Sequence, residues 1–350
     1  MTQKVTLREF IMNILNGLAI GAVIVLIPSA LLSELSKALL PTFPFLENVL
    51  HAVNLSNSMM GIVVGILIGM SFKFPPIQSA AVGLATIFAS GAVEFTPDGA
   101  MVLNGTGDII NMGITAAIAC AMLLVLGDKL KSYTILVIPA LSLIIPGMIG
   151  RLTLPYMLKI TEWIGQGVAQ LLDLQPIIMS ILLAVIFSVL IVSPITTVGI
   201  ALAISLSGIG SGAANIGICA TGFGFAIMGW HVNTKGTSFA HFIGSPKMSM
   251  ANALKKPLIL LPIICTAACC GVLAALWNIQ GSPMSAGFGF SGLIGPINYM
   301  NLAESGWTFS TLLKSVIAFA AAPIGFSFLF KYIFTKVKPI LKEEDYYLDI

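Results

Sequence analysis

Long apolar runs, separated by short clusters of charge, proline or glycine, dominate the chain. Ten can be bounded, at 10–33, 57–73, 77–95, 108–127, 133–151, 176–194, 196–211, 213–230, 257–276 and 311–334. A helix needs about 20 apolar residues to cross a bilayer, and most of these runs approach that length. The pattern predicts an all-α, polytopic membrane protein with about ten transmembrane helices. Three stretches fit no simple span. Residues 36–52 and 153–175 mix apolar and polar positions, and the second sets Tyr156 and Trp163 beside Lys159 and Glu162, as an interfacial helix would. Residues 279–298 (IQGSPMSAGFGFSGLIGPIN) are too rich in Gly and Pro for a regular span. Irregular backbone persists at membrane depth only where protein or a water-filled cavity covers it. A re-entrant hairpin and an extracellular loop both fit this stretch, and the hairpin is the preferred reading.

Composition agrees with the pattern. Of 350 residues, 57% are hydrophobic and 9% charged, against about 25% charged in an ordinary soluble domain. This excludes a soluble enzyme and a secreted disulfide scaffold. The net charge of +3 is small and the lysines form no patch suited to nucleic acid. Their placement orients the chain, because basic residues favour the cytoplasmic side. With Lys4 and Arg8 inside, the loop holding Lys129 and Lys131 also falls inside. So do the 231–256 loop with Lys235, Lys247, Lys255 and Lys256, and the tail with Lys336, Lys338 and Lys342. Glu34, Glu47, Glu94 and Asp98 fall outside. Both termini are therefore expected in the cytoplasm. The five cysteines all sit in apolar runs and read as small buried hydrophobes. There is no P-loop and no HExxH, and the three histidines are not spaced as metal ligands. No cofactor or metal is expected.

The chain also resembles itself. Pro76-Ile77-Gln78-Ser79 is followed by Val82-Gly83-Leu84-Ala85; Pro194-Ile195-Thr196-Thr197 is followed by Val198-Gly199-Ile200-Ala201. Asn111-Met112-Gly113-Ile114-Thr115-Ala116 then matches Asn215-Ile216-Gly217-Ile218-Cys219-Ala220, with an insertion near 92–107 in the first copy. Paired spans run the same way, so the expectation is a parallel internal repeat with copies at about 57–152 and 176–276. Both lie in one membrane-embedded domain (1–335), followed by a short cytoplasmic tail (336–350).

Transporters built from repeats hold solute near the midplane at broken helices. The proline turns are candidate breaks, where free N–H groups and a positive dipole end would face a ligand. Gln78, Ser79, Thr196 and Thr197 would add side-chain hydrogen bonds, and Asn111 and Asn215 an amide each. The competing reading is that these residues tie helices together. The stretch 229–250 (GWHVNTKGTSFAHFIGSPKMSM) adds His241, set among Phe239, Ala240, Phe242 and Ile243, as a group able to exchange a proton. Its lysines read equally as a solvated loop. Gln280 and Ser282 of the Gly-rich stretch complete the candidate substrate-binding set.

At the Pro-Ile-Thr-Thr turn, the run Gly208-Ile209-Gly210-Ser211-Gly212-Ala213-Ala214-Asn215, the segment Ile243-Gly244-Ser245-Pro246 and the Gly-rich 281–298 stretch, the chain resembles a known group. It is similar, over about 8–335, to the membrane-embedded enzyme IIC-like proteins of the bacterial phosphotransferase system, more narrowly to a stand-alone branch labelled as toxin-regulator membrane proteins. The resemblance implies about ten spans in the bacterial plasma membrane, cytoplasmic termini, a re-entrant hairpin and a dimer. It also implies sugar translocation coupled to phosphorylation by a cytoplasmic phosphocarrier subunit. One departure matters: sugar-transporting members carry a glutamate in the second hairpin, and 279–298 holds no acid here. The expected function is a transporter subunit, not an enzyme, moving a small polar solute (a sugar or related organic solute) by alternating access. The alternative is a membrane sensor that binds a ligand in the same fold and signals to a cytoplasmic protein.

Overall fold

The computed structural model describes residues 5–126, 129–130, 133–283 and 285–348; Lys4, Lys131 and the side chain of Glu34 lie outside what is described. The architecture is helical, with one two-stranded hairpin among the described residues. The chain divides into two compact units, Met1–Ser29 with Leu39–Ile160, and Ala30–Ala38 with Thr161–Ile350.

Helix α1 (Leu7–Leu39), which belongs to the first unit except for Ala30–Ala38, opens on a capping box in which Thr6 and Glu9 satisfy each other's free backbone N–H groups. Helices α2 (Leu46–Ser58) and α3 (Met60–Ser71) meet at a 50° bend. Helix α4 (Pro76–Ala89) starts with proline at its first position, where no N–H is needed. It packs on α3 so closely that a Cβ on Gly65 would lie 2.7 Å from the Cα of Gly83. The insertion near 92–107 is the antiparallel pair β1 (Val93–Phe95) and β2 (Met101–Leu103). Then come α5 (Ile109–Leu126), α6 (Thr134–Ser142), a π turn at Leu143–Gly147 and α7 (Met148–Ala169), whose residues from Thr161 on are assigned to the second unit.

The second unit holds α8 (Pro176–Leu190), α9 (Thr197–Ala203), α10 (Gly208–Met228), α11 (Lys235–Ile243), α12 (Met250–Lys255) and α13 (Leu261–Leu276). The irregular 277–293 segment leads to α14 (Ile294–Leu302), α15 (Phe309–Val316) and α16 (Ala322–Tyr332). Helix α10 is the axis of this unit. Every residue from Gly210 to Met228 is buried, among core side chains such as Leu183, Phe187, Ile263 and Phe319.

Two expectations are met only in part. Among the described residues, six helices are long and apolar enough to cross a membrane: Leu7–Leu26, Ile109–Leu126, Thr134–Asp173, Gly208–Met228, Pro257–Leu276 and Phe309–Val337. Counting the bent α2–α3 pair as one span makes seven, against the ten expected. The difference is length. Helix α4 has 14 residues and α8 has 15, and α9 stops after seven, before Ser205 and Gly208 turn to positive φ. The stretch 153–175, expected as a separate interfacial helix, is for the most part continuous with one 40-residue helical run from Thr134, in which Pro146 falls within a π turn while Pro139 and Pro155 lie inside α6 and α7. The 338–348 stretch of the expected tail folds back onto the second unit, with Leu341 and Tyr346 buried.

Candidate functional site

The second unit has a helix break at its centre. Helix α8 ends at Leu190, and Pro194, lacking an N–H, cannot continue it. Ser193 knits the turn: its hydroxyl donates to the Leu190 carbonyl at 2.7 Å and accepts from the Ile195 N–H at 3.1 Å. Thr196 then caps α9 by accepting from the Gly199 N–H at 3.1 Å. Thr197, 2% exposed, turns away from its own helix and donates to the Gly287 carbonyl at 3.1 Å.

Gly287 belongs to the irregular 277–293 segment, which lies against α10 with Ile279, Gly281, Ser285, Ala286, Gly287 and Gly289 buried. It joins α10 at Gly208, whose carbonyl accepts from the Gly281 N–H at 3.0 Å. The Ser211 hydroxyl donates to the Ser282 carbonyl at 2.9 Å. Asn215 grips the segment at two points: Oδ1 accepts from the Gly289 N–H at 3.0 Å, and Nδ2 donates to the Ser285 hydroxyl at 3.3 Å. The Ser282 N–H donates to Ser285 at 3.1 Å and to Asn298 at 2.9 Å, and the Ser291 hydroxyl donates to the Gly244 carbonyl. Gly287 and Gly289 take φ of 111° and 62°, the left-handed region that glycine enters without strain. The non-helical backbone is thus covered by protein, as an apolar setting demands.

One charge enters this neutral cluster. Lys247, 3% exposed, donates from Nζ to the carbonyls of Ser193 at 2.7 Å and Ile195 at 2.8 Å. Among the described residues no carboxylate stands within 4 Å of it. Burial lowers its pKa to about 7. His241 is also buried, stacked on Phe225. Its Nδ1 lies 2.9 Å from the Thr237 carbonyl and its Nε2 2.8 Å from the Ser249 hydroxyl. A carbonyl only accepts, so Nδ1 carries the proton and Nε2 accepts from Ser249. Burial lowers this imidazole to about 4, which keeps it neutral at physiological pH.

The candidate residues divide between the units. Thr196, Thr197, Asn215, Gln280 and Ser282 meet around the break and the irregular segment, and His241 stands on the neighbouring α11. Gln78, Ser79 and Asn111 lie in the first unit. There, Ser79 donates to the Phe74 carbonyl at 3.2 Å and Gln78 is partly buried. Asn111 donates to the carbonyls of Ala89 at 2.7 Å and Gly150 at 2.9 Å, and accepts from Thr153 at 2.7 Å. Its amide holds α4, α5 and α7 together. Lys247, Ser211, Ser285 and Asn298 complete the cluster and were not among the sequence candidates. Lysine in a polar stretch reads as solvated, and serine beside glycine carries no signal of its own.

Two further features flank the cluster. A cavity of about 250 Å³ lies between α10, α11 and α16, walled by Phe223, Trp230, Phe239, Phe242 and Phe328, with Lys331 at its edge. The 338–348 strap pins the 229–257 stretch. Asn233 donates to the Tyr346 carbonyl at 2.9 Å, Asn252 to that of Tyr347 at 2.6 Å, and Lys256 pairs with Asp345 at 2.6 Å.

A family model described as "Phosphotransferase system, EIIC" matches residues 12–348. The comparisons with curated proteins and with solved structures find no match.

Proposed function

The chain belongs to the phosphotransferase-system EIIC family, and on that premise we propose that it is a membrane transporter subunit moving a small polar, uncharged solute such as a sugar. One observation carries this reading: a broken helix, a glycine-rich segment and Asn215 bring hydroxyl, amide and backbone groups together in a cluster that holds no carboxylate. Broken helices of this kind are where transporters bind solute, and neutral donors and acceptors suit hydroxyl groups. Alternating access follows if the α8–α9 break and the 277–293 segment part to admit solute. Lys331, Lys336, Lys338 and Lys342 near the C terminus favour a cytoplasmic C-terminal end in a bacterial inner membrane. A homodimer and a separate cytoplasmic phosphocarrier complete the proposal. The chain itself carries out no catalysis in this reading.

Uptake of radiolabelled glucose, mannitol and N-acetylglucosamine into proteoliposomes, with and without a phosphocarrier, tests it. Flux of one of them, reduced at least about tenfold in Asn215→Ala, is expected. Binding of a solute without any flux favours the second reading, a membrane sensor. The 338–348 strap, clamped on the segment that carries Lys247, is the observation on its side.

A further inference from the structure

Lys247 brings a charge to an otherwise neutral cluster, and its surroundings define its role. Two carbonyls on alternate residues, Ser193 and Ile195, converge on one Nζ at 2.7 and 2.8 Å. Both follow the C-terminal end of α8, where the helix dipole is negative and carbonyls lack intrahelical partners. In transporters, unwound carbonyls at helix C-terminal ends are the groups that coordinate a coupling cation such as sodium. Here those oxygens already hold a cation, tethered to the chain 52 to 54 residues away.

We propose that the Lys247 ammonium takes the place of an alkali-metal ion at the α8–α9 break, so that the break is held closed without bound sodium or potassium. The tether comes from the turn Pro246–Ser249, whose Ser245 hydroxyl accepts from the Lys247 N–H at 3.3 Å and fixes the start of the side chain. Without a carboxylate partner, the carbonyls and the dipole are the charge's compensation. Replacing Lys247 by a small residue leaves the Ser193 and Ile195 carbonyls without their cation, open to a small cation from solution. The inference concerns stability and ion dependence, so it stands whether or not the chain transports a solute.

The test uses the full-length protein in detergent at pH 6, where the amine is charged. Thermal unfolding is followed in choline chloride, sodium chloride and methylammonium chloride at equal ionic strength. Wild type should unfold at one temperature in all three. Lys247→Ala should unfold roughly 5–10 °C lower in choline, from the loss of two charge-assisted hydrogen bonds, and regain at least half of that in sodium or methylammonium. Lys247→Met, which fills the space without a charge, should show the same loss and no recovery. Three results overturn the proposal: a wild type stabilised by sodium over choline, a Lys247→Met protein as stable as wild type, or a Lys247→Ala protein that recovers in none of the salts. An alanine variant that folds only when purified in methylammonium supports it.

Discussion

The hydroxyl of Tyr346 donates to the carbonyl of Ile259 at 2.8 Å, joining positions 87 residues apart. The same ring meets Phe225 of α10 edge-on at 5.9 Å, so the end of the chain is anchored to the axis of the second unit. Burial and the neighbouring Asp345 push the phenol well above its ordinary range, which keeps it a donor. Tyr346→Phe should lose about 1 kcal/mol and Tyr346→Ala about 3–5 kcal/mol in denaturant unfolding. Removing residues 338–350 should speed tryptic cleavage at the exposed Lys235 and Lys255, since Asn233 and Asn252 lose their partners. Equal cleavage rates in the two proteins would show that the strap holds nothing.

Asn111 and Asn215 occupy matched places in the internal similarity, yet their amides serve different partners. Asn111 bonds to two backbone carbonyls and Thr153, all within rigid helices. Asn215 bonds to the irregular segment. Asn111→Ala removes three hydrogen bonds; the Thr153 hydroxyl and the Gly150 carbonyl keep their mutual bond at 3.0 Å, while the Ala89 carbonyl loses its side-chain partner, and the change should cost about 1–3 kcal/mol. Asn215→Ala should cost less and act locally, raising amide hydrogen exchange at 285–291 while leaving α5 protected. The reverse pattern, a mobile α5 and an unchanged 285–291, would contradict this assignment.

The long apolar helices are legible in the sequence because length and composition alone set them. The run at 10–33 falls within α1, and those at 108–127, 213–230, 257–276 and 311–334 each coincide, over most of their length, with a helix or an unbroken helical run of the structure. The runs at 77–95 and 196–211 mislead because their breaks are conformational. Gly91, Ser205 and Gly208 take positive φ, and hydropathy does not register that. Thr197, Asn215 and Ser282 are legible as polar groups in apolar surroundings. Lys247 is not, because its burial is made by carbonyls more than 50 residues away. The 338–348 strap hides for a similar reason: its acids suggest a solvated end, and Leu341 and Tyr346 find their cover only in the folded second unit.

Helix α10 depends on absent side chains. A Cβ on Gly212 would lie 1.9 Å from the Ile279 carbonyl oxygen, and one on Gly217 would lie 2.1 Å from that of Ala184. Both obstacles are backbone, which cannot rotate aside. Gly212→Ala and Gly217→Ala should each lose at least about 1–3 kcal/mol through overpacking. Gly212→Ala should also loosen the 279–285 backbone in hydrogen exchange. Gly325→Ala, whose Cβ would meet nothing within 4 Å, is the control and should be neutral or slightly stabilising. A Gly212→Ala protein as stable as the Gly325→Ala control would mean that the irregular segment does not press on α10.

His241 makes stability depend on pH. Its folded pKa of about 4 lies below the ordinary 6.5, so between these values the unfolded chain binds more protons than the folded one. The associated stability is complete above pH 6.5, falls as pH drops through the window, and levels off below 4. A gap of this size is on the order of 3 kcal/mol. The Phe225 ring, the Thr237 carbonyl and the Ser249 hydroxyl surround the imidazole, and none of them titrates in this range. Lys247 contributes in a separate window: its pKa of about 7 lies below the ordinary 10.5, so its effect is confined to higher pH. Unfolding free energy measured from pH 7 to 4 should therefore decline in wild type and decline much less in His241→Gln. That variant keeps a polar side chain near Ser249 and removes the titration. Parallel pH profiles would mean that the imidazole takes up its proton without leaving the core.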